Sequence, residues 1–98
     1  MPDQNMTVRS FKRWQRSEAF AEYRADRGAA IVDEVTDRTM RVLRGNASGA
    51  DAAKVSSYLA RATRGPGGEA KYGTGPSKVS ARTAALRNWG YDPTGRYR

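Results

Sequence analysis

The chain has 98 residues, with 18 Lys and Arg against 10 Asp and Glu for a formal charge of +8, and it contains neither Cys nor His. Disulfides, zinc-finger ligand sets, thiolate nucleophiles and imidazole-dependent triads are excluded, which leaves carboxylates, Tyr and Lys as the available catalytic groups. Ile, Val, Leu and Phe number 12 against 15 Ala, so we expect a thin core completed by self-association, and an acidic partner for the excess charge.

Charge alternates along the chain. Residues 9–16 hold Arg9, Lys12, Arg13 and Arg16 with no acid, residues 17–51 are net −2, and residues 52–98 are net +7. Val8, Phe11 and Trp14 recur every three residues, the spacing of a short helix with one apolar face. Ser17 is placed to cap a following helix. From Glu18 to Arg44 the series Phe20, Tyr23, Ile31, Val35, Thr39 and Val42 predicts one long helix, with Gly28 as a possible hinge and Gly45-Asn46 as its stop. Ser48-Gly49-Ala50-Asp51 fits a capping box opening another helix, whose face carries Ala52, Val55, Leu59 and Ala62 before Gly65-Pro66. Residues 65–76 contain five Gly and two Pro, a composition that predicts a flexible linker. Ser77 then caps a last helix running to Trp89, and Gly90 occupies the position of a left-handed C-terminal cap.

These elements predict an all-α protein of three to four helices: a helical region over 1–64 with a basic arm and long central helix, a Gly/Pro-rich linker over 65–76, and a C-terminal helix and basic tail over 77–98. Phe11, Trp14, Phe20, Tyr23, Ile31 and Val35 are the expected oligomer contacts, since a core this poor in aliphatics needs neighbours.

Three motifs bear on chemistry. The glycine spacing around Gly68 and Gly73 suggests a phosphate-binding loop, but Thr74-Gly75 stands where the lysine and hydroxyl pair belongs and no strand precedes it, so no nucleotide cofactor is expected. Asp33, Glu34 and Asp37 lie one turn apart, yet Arg38 and Arg41 follow Glu34 and Asp37 by four residues, the arrangement of a solvated ion-paired face rather than a metal site. The acidic ladder Glu18, Glu22 and Asp26 calls for a cation, and the arm at residues 9–16 is the expected source.

Nucleic-acid contact is assigned to Lys54, Arg61, Arg64, Lys71, Lys78, Arg82, Arg87, Arg96 and Arg98, which are interleaved with Tyr58, Tyr72, Trp89, Tyr91 and Tyr97. The tail Gly95-Arg96-Tyr97-Arg98 is expected to act as a terminal arm that can be removed with folding intact. No apolar run approaches the ~18 residues of a membrane span, and Met1 to Asn5 lack a signal pattern, so a cytoplasmic protein is expected.

The run from Ser80 to Arg98 resembles the end of tailed-bacteriophage terminase small subunits, where a helix with Leu-Arg precedes an aromatic residue, Gly, an apolar and a polar residue, Pro and a small-residue-plus-Arg tail. The matching positions are Leu86, Arg87, Trp89, Gly90, Tyr91, Asp92, Pro93, Gly95 and Arg96. Residues 40–55 are similar to the helix, polar turn and helix of the same family. The resemblance implies a non-enzymatic, ring-forming protein in the host cytoplasm that recognises double-stranded viral DNA and passes it to a motor ATPase. Residues 9–44 depart from the family's DNA-reading helix-turn-helix. That departure leaves open a head-to-tail connector or minor virion protein docking on the portal, or a small nucleic-acid-binding protein outside phage biology.

Overall fold

A computed structural model of the protein describes residues 3–62 and 68–98. Thr7 opens the first helix, α1 (Val8–Gln15), because its hydroxyl accepts the Ser10 N–H at 3.0 Å while Ser10 Oγ accepts the Thr7 N–H at 2.8 Å. This reciprocal cap satisfies donors that the first turn would leave unpaired. Ser17 joins α1 to α2 (Glu18–Arg27), donating to the Trp14 carbonyl at 2.6 Å and accepting from Phe20 N–H at 3.2 Å. Gly28, at φ +108°, ends α2 and begins α3 (Ala29–Leu43). The long helix expected from 18 to 44 is therefore two helices with a break at the anticipated hinge.

That break resets the helical phase. After Gly28 the buried face of α3 is Val32, Thr36, Arg38 and Thr39, whereas Ile31 is 68% exposed and Val35 half-buried. A fourth helix, α4 (Gly49–Ala62), starts where Ser48 Oγ accepts the Asp51 N–H at 3.2 Å, as the capping pattern predicts. It buries Val55 and Leu59. The paired-charge reading of α3 holds for Glu34, 3.3 Å from Arg38, but Arg41 reaches across to Asp51 at 3.0 Å instead of back to Asp37. Asp51 also lies 3.3 Å from Arg38, so one carboxylate ties α3 to α4.

The expected linker departs most from the sequence reading. Residues 65–67 lie outside the described residues, but β1 (Ala70–Tyr72) pairs antiparallel with β2 (Val79–Ser80), with a 3-10 turn at Gly75–Ser77 between them. The fold is thus broadly helical, with five α-helices among the described residues and a two-stranded sheet, rather than strictly all-α. The physical cause is the acidic ladder. Glu22 accepts the Gly73 N–H at 2.9 Å, Glu18 accepts the Thr74 hydroxyl at 3.1 Å, and Asp26 accepts the Tyr72 hydroxyl and sits 3.1 Å from Lys71 Nζ. The cationic and N–H donors for α2 come from this segment, not from residues 9–16. The Tyr72 hydroxyl, then Lys71, hold the Asp26 carboxyl below its ordinary range.

Ser80, not Ser77, caps the last helix α5 (Ala81–Asn88), accepting the Thr83 N–H at 3.1 Å. Ala84 of α5 joins a cluster with Met6, Phe11, Trp14, Phe20, Tyr23, Val32, Tyr72 and Val79, while Leu86 joins Val55 and Leu59 against α4. Burying a residue such as Phe11 contributes about 1.5–3 kcal/mol, so the aromatic residues supply much of what the aliphatic count lacks. Between α3 and α5 the buried Asn88 amide accepts from Thr36 Oγ1 at 2.7 Å and donates to the Val32 carbonyl at 3.3 Å. Thr39 donates to the Asn88 carbonyl at 2.6 Å.

Gly90 completes α5 at φ +91°, as its position predicts, and its carbonyl accepts the N–H groups of Asn5 and Met6 at 3.1 and 3.2 Å. The Asn5 side chain accepts the Asp92 N–H at 2.7 Å and donates to the Asp92 carbonyl at 3.0 Å. A Cβ on Gly90 would lie 2.7 Å from Gln4 Nε2, which donates to the Trp89 carbonyl. Gly90→Ala is expected to cost on the order of 1–2 kcal/mol through the left-handed backbone and displacement of Gln4. Urea unfolding would measure this, and unchanged stability would refute the cap.

Candidate nucleic-acid interface

The predicted basic residues divide into groups. Lys54 and Arg61 are exposed on α4, two turns apart, and with Ala53, Ser57, Tyr58 and Trp89 they line a surface groove of about 400 Å³. Its aromatic wall is a stacked pair: the Tyr58 and Trp89 rings lie 4.3 Å apart at 12°. The pair forms because Tyr58 occupies the α4 position one residue before the buried Leu59, and Trp89 is the C-cap of α5, held by N–H bonds to Ala85 and Leu86 carbonyls. The Arg38 guanidinium lies 5.9 Å from the Trp89 ring centre. Burial pushes the Tyr58 phenol above its ordinary pKa, and Arg27, Arg82 and Arg61 pull it back. Burial also raises the Tyr23 phenol to about 12, with the Tyr58 phenol adding to the effect.

A second basic surface lies around the tail. Lys78 and Arg96 are exposed and line a groove of about 410 Å³ with Ser77, Val79, Arg87 and Thr94. Arg87 is not a surface contact, which corrects its assignment to DNA. It is 2% exposed, and its Nε lies 3.0 Å from Oδ1 of the fully buried Asp92. The guanidinium sits 5.1 Å from the Trp14 ring centre and 4.9 Å from that of Tyr97. Tyr97 in turn meets Trp14 edge-on at 5.8 Å and carries Arg13 on its ring at 5.5 Å. The tail is therefore built into the fold, contrary to its reading as a detachable arm.

The other positions are less suited to DNA. Lys71 is exposed but ion-paired with Asp26, Arg98 is exposed beyond Tyr97, and Arg64 lies outside the described residues. Arg82 is exposed on α5 and does not line the groove of the stacked pair. Sequence reasoning missed Arg27, the exposed last residue of α2, whose charge acts on the Tyr58 phenol. It also assigned Phe11, Trp14, Phe20 and Tyr23 to subunit contacts, whereas all four are buried within the chain. The paired carboxylate Asp33 receives a two-pronged Arg24 guanidinium at 2.8 and 2.7 Å. Among the described residues no cluster of Asp and Glu is arranged to hold a metal ion, and no helix is long and apolar enough to cross a membrane.

Compared with models of protein families, with curated proteins and with solved structures, the chain matches none.

Proposed function

We propose that the chain is a non-enzymatic protein that binds double-stranded DNA through the α4–α5 face, as a component of tailed-phage DNA packaging. The observation that carries the DNA reading is the Tyr58–Trp89 stack flanked by Lys54 and Arg61, with no carboxylate among the described residues that line the groove. Cations of this kind neutralise phosphates and release counterions, while a half-exposed aromatic pair supplies a flat surface for sugar and base edges. The resemblance of residues 80–98 to terminase small subunits supplies the packaging setting, a motor ATPase or portal as protein partner, and a location in the host cytoplasm or the virion. Self-association in this reading uses Ile31 and Val35, the two expected contacts that the fold leaves accessible.

The test is duplex binding by fluorescence anisotropy across a salt series. Lys54→Glu with Arg61→Glu should weaken binding at least tenfold and reduce the slope of log affinity against log salt by about 2, since each phosphate contact contributes about 0.9. Arg24→Glu with Arg41→Glu makes the same charge change at positions already paired with Asp33 and Asp51, and should weaken binding far less. Equal losses would show that bulk charge drives binding and would remove the α4–α5 site.

A further inference from the structure

We propose that the groove between Lys78 and Arg96 is a phosphate-binding site, separate from the α4–α5 face. The lining residues come from three segments: the 3-10 turn and β2 (Ser77, Lys78, Val79), α5 (Arg87) and the tail (Thr94, Gly95, Arg96). Among the described residues no carboxylate lines the groove. The nearby Asp92 is turned inward and occupied: Oδ1 accepts from Arg87 Nε, the Thr94 N–H and the Thr94 hydroxyl, and Oδ2 accepts the Tyr97 N–H at 2.6 Å. Its charge is neutralised by Arg87, so the charges of Lys78 and Arg96 are left without an acidic neighbour in the groove.

The backbone that carries the two cations is fixed by hydrogen bonds on both sides of the groove. The Arg96 N–H donates to Thr94 Oγ1 at 3.3 Å inside a turn that Asp92 organises, and Lys78 follows the 3-10 turn with its N–H on the Gly75 carbonyl at 3.2 Å. Beneath them Arg87 donates Nη2 to Thr94 Oγ1 at 2.9 Å, which couples the groove floor to the core. The exposed Arg13 of α1 lies 5.5 Å from the ring centre of Tyr97, the residue that follows Arg96. Two exposed cations on a fixed backbone over a polar floor suit a tetrahedral dianion or a phosphodiester, and lysine and arginine differ here as point charge and two-pronged donor.

The phosphate can come from free phosphate or from a nucleic-acid backbone, and two measurements separate them. Thermal unfolding in sodium phosphate against sodium chloride of equal ionic strength, repeated with pyrophosphate, should show a Tm rise of roughly 7 °C once phosphate exceeds its Kd about tenfold. The variant Lys78→Ala with Arg96→Ala changes exposed side chains, so it should keep its Tm in chloride and lose the rise. In the duplex salt series the same variant should reduce the slope by about 1 to 2 if the occupant is a backbone phosphate, and leave it unchanged if the occupant is free phosphate. Lys54→Glu with Arg61→Glu should retain the phosphate-dependent rise, so failure of either groove is visible without the other. A rise undiminished in Lys78→Ala with Arg96→Ala, or no rise in the unmodified protein together with an unchanged slope in the variant, overturns the proposal.

Discussion

Arg87→Ala is expected to lower the stability of the protein by roughly 3–5 kcal/mol, because it leaves the Asp92 carboxylate buried without its cation. Both groups are almost inaccessible, and the Arg87 guanidinium also fills the space between Trp14 and Tyr97. Urea unfolding followed by tryptophan fluorescence would measure the loss. A cost below about 1 kcal/mol would mean that water reaches Asp92, and the buried-pair reading would fall. The pH dependence provides a second check. Burial pushes the Asp92 carboxyl up, but the Tyr97 N–H, Arg87 and both Thr94 donors outweigh it and hold the group below the usual carboxylate range. A carboxyl depressed in the folded state contributes stability that is complete above its unfolded value near 3.9 and is lost as pH falls through the lower folded value. Without Arg87 that acid-induced loss should move to higher pH.

Deletion of Arg96 to Arg98 is expected to destabilise the fold by roughly 2–4 kcal/mol, nearly all of it through Tyr97. That ring meets Trp14 edge-on and has the Arg87 and Arg13 guanidiniums 4.9 and 5.5 Å from its centre, while the Tyr97 N–H completes the coordination of Asp92. Arg96→Ala with Arg98→Ala keeps the ring and should stay within about 0.5 kcal/mol of the unmodified protein. Calorimetry on the two variants separates the contributions. If the truncated chain melts at the unmodified temperature, Tyr97 contributes nothing to the core and the arm reading is restored.

Features governed by neighbours in sequence were legible. Ser17 and Ser48 cap helices because a hydroxyl two or three residues from a free N–H needs no tertiary help, and Gly90 takes its left-handed conformation for a similarly local reason. Lys54, Tyr58 and Arg61 could be placed together from helical spacing, and Trp89 from its position at the end of α5. What failed was governed by distant partners. The strands around Tyr72 and Val79 are too short for periodicity to reveal, and they form against carboxylates of α2 some fifty residues earlier in the chain. Ile31 and Val35 were aligned with Phe20 and Tyr23 as though one helix ran through Gly28, and the φ of that glycine rotates them away. Arg87 looked like a surface cation because nothing local distinguishes an arginine facing solvent from one facing a buried Asp92.

The clasp between Asn5 and Asp92 joins residues 87 positions apart, which has a kinetic meaning. Contacts of such separation form only after a large loss of chain entropy, whereas α1 with α2 and α3 with α4 can pair within short spans. Closure of the clasp therefore belongs to a late stage of folding, and a nascent chain cannot make it until residue 92 has been synthesised. Until then the C-terminal end of α5 lacks the strap formed by Asn5 and Met6.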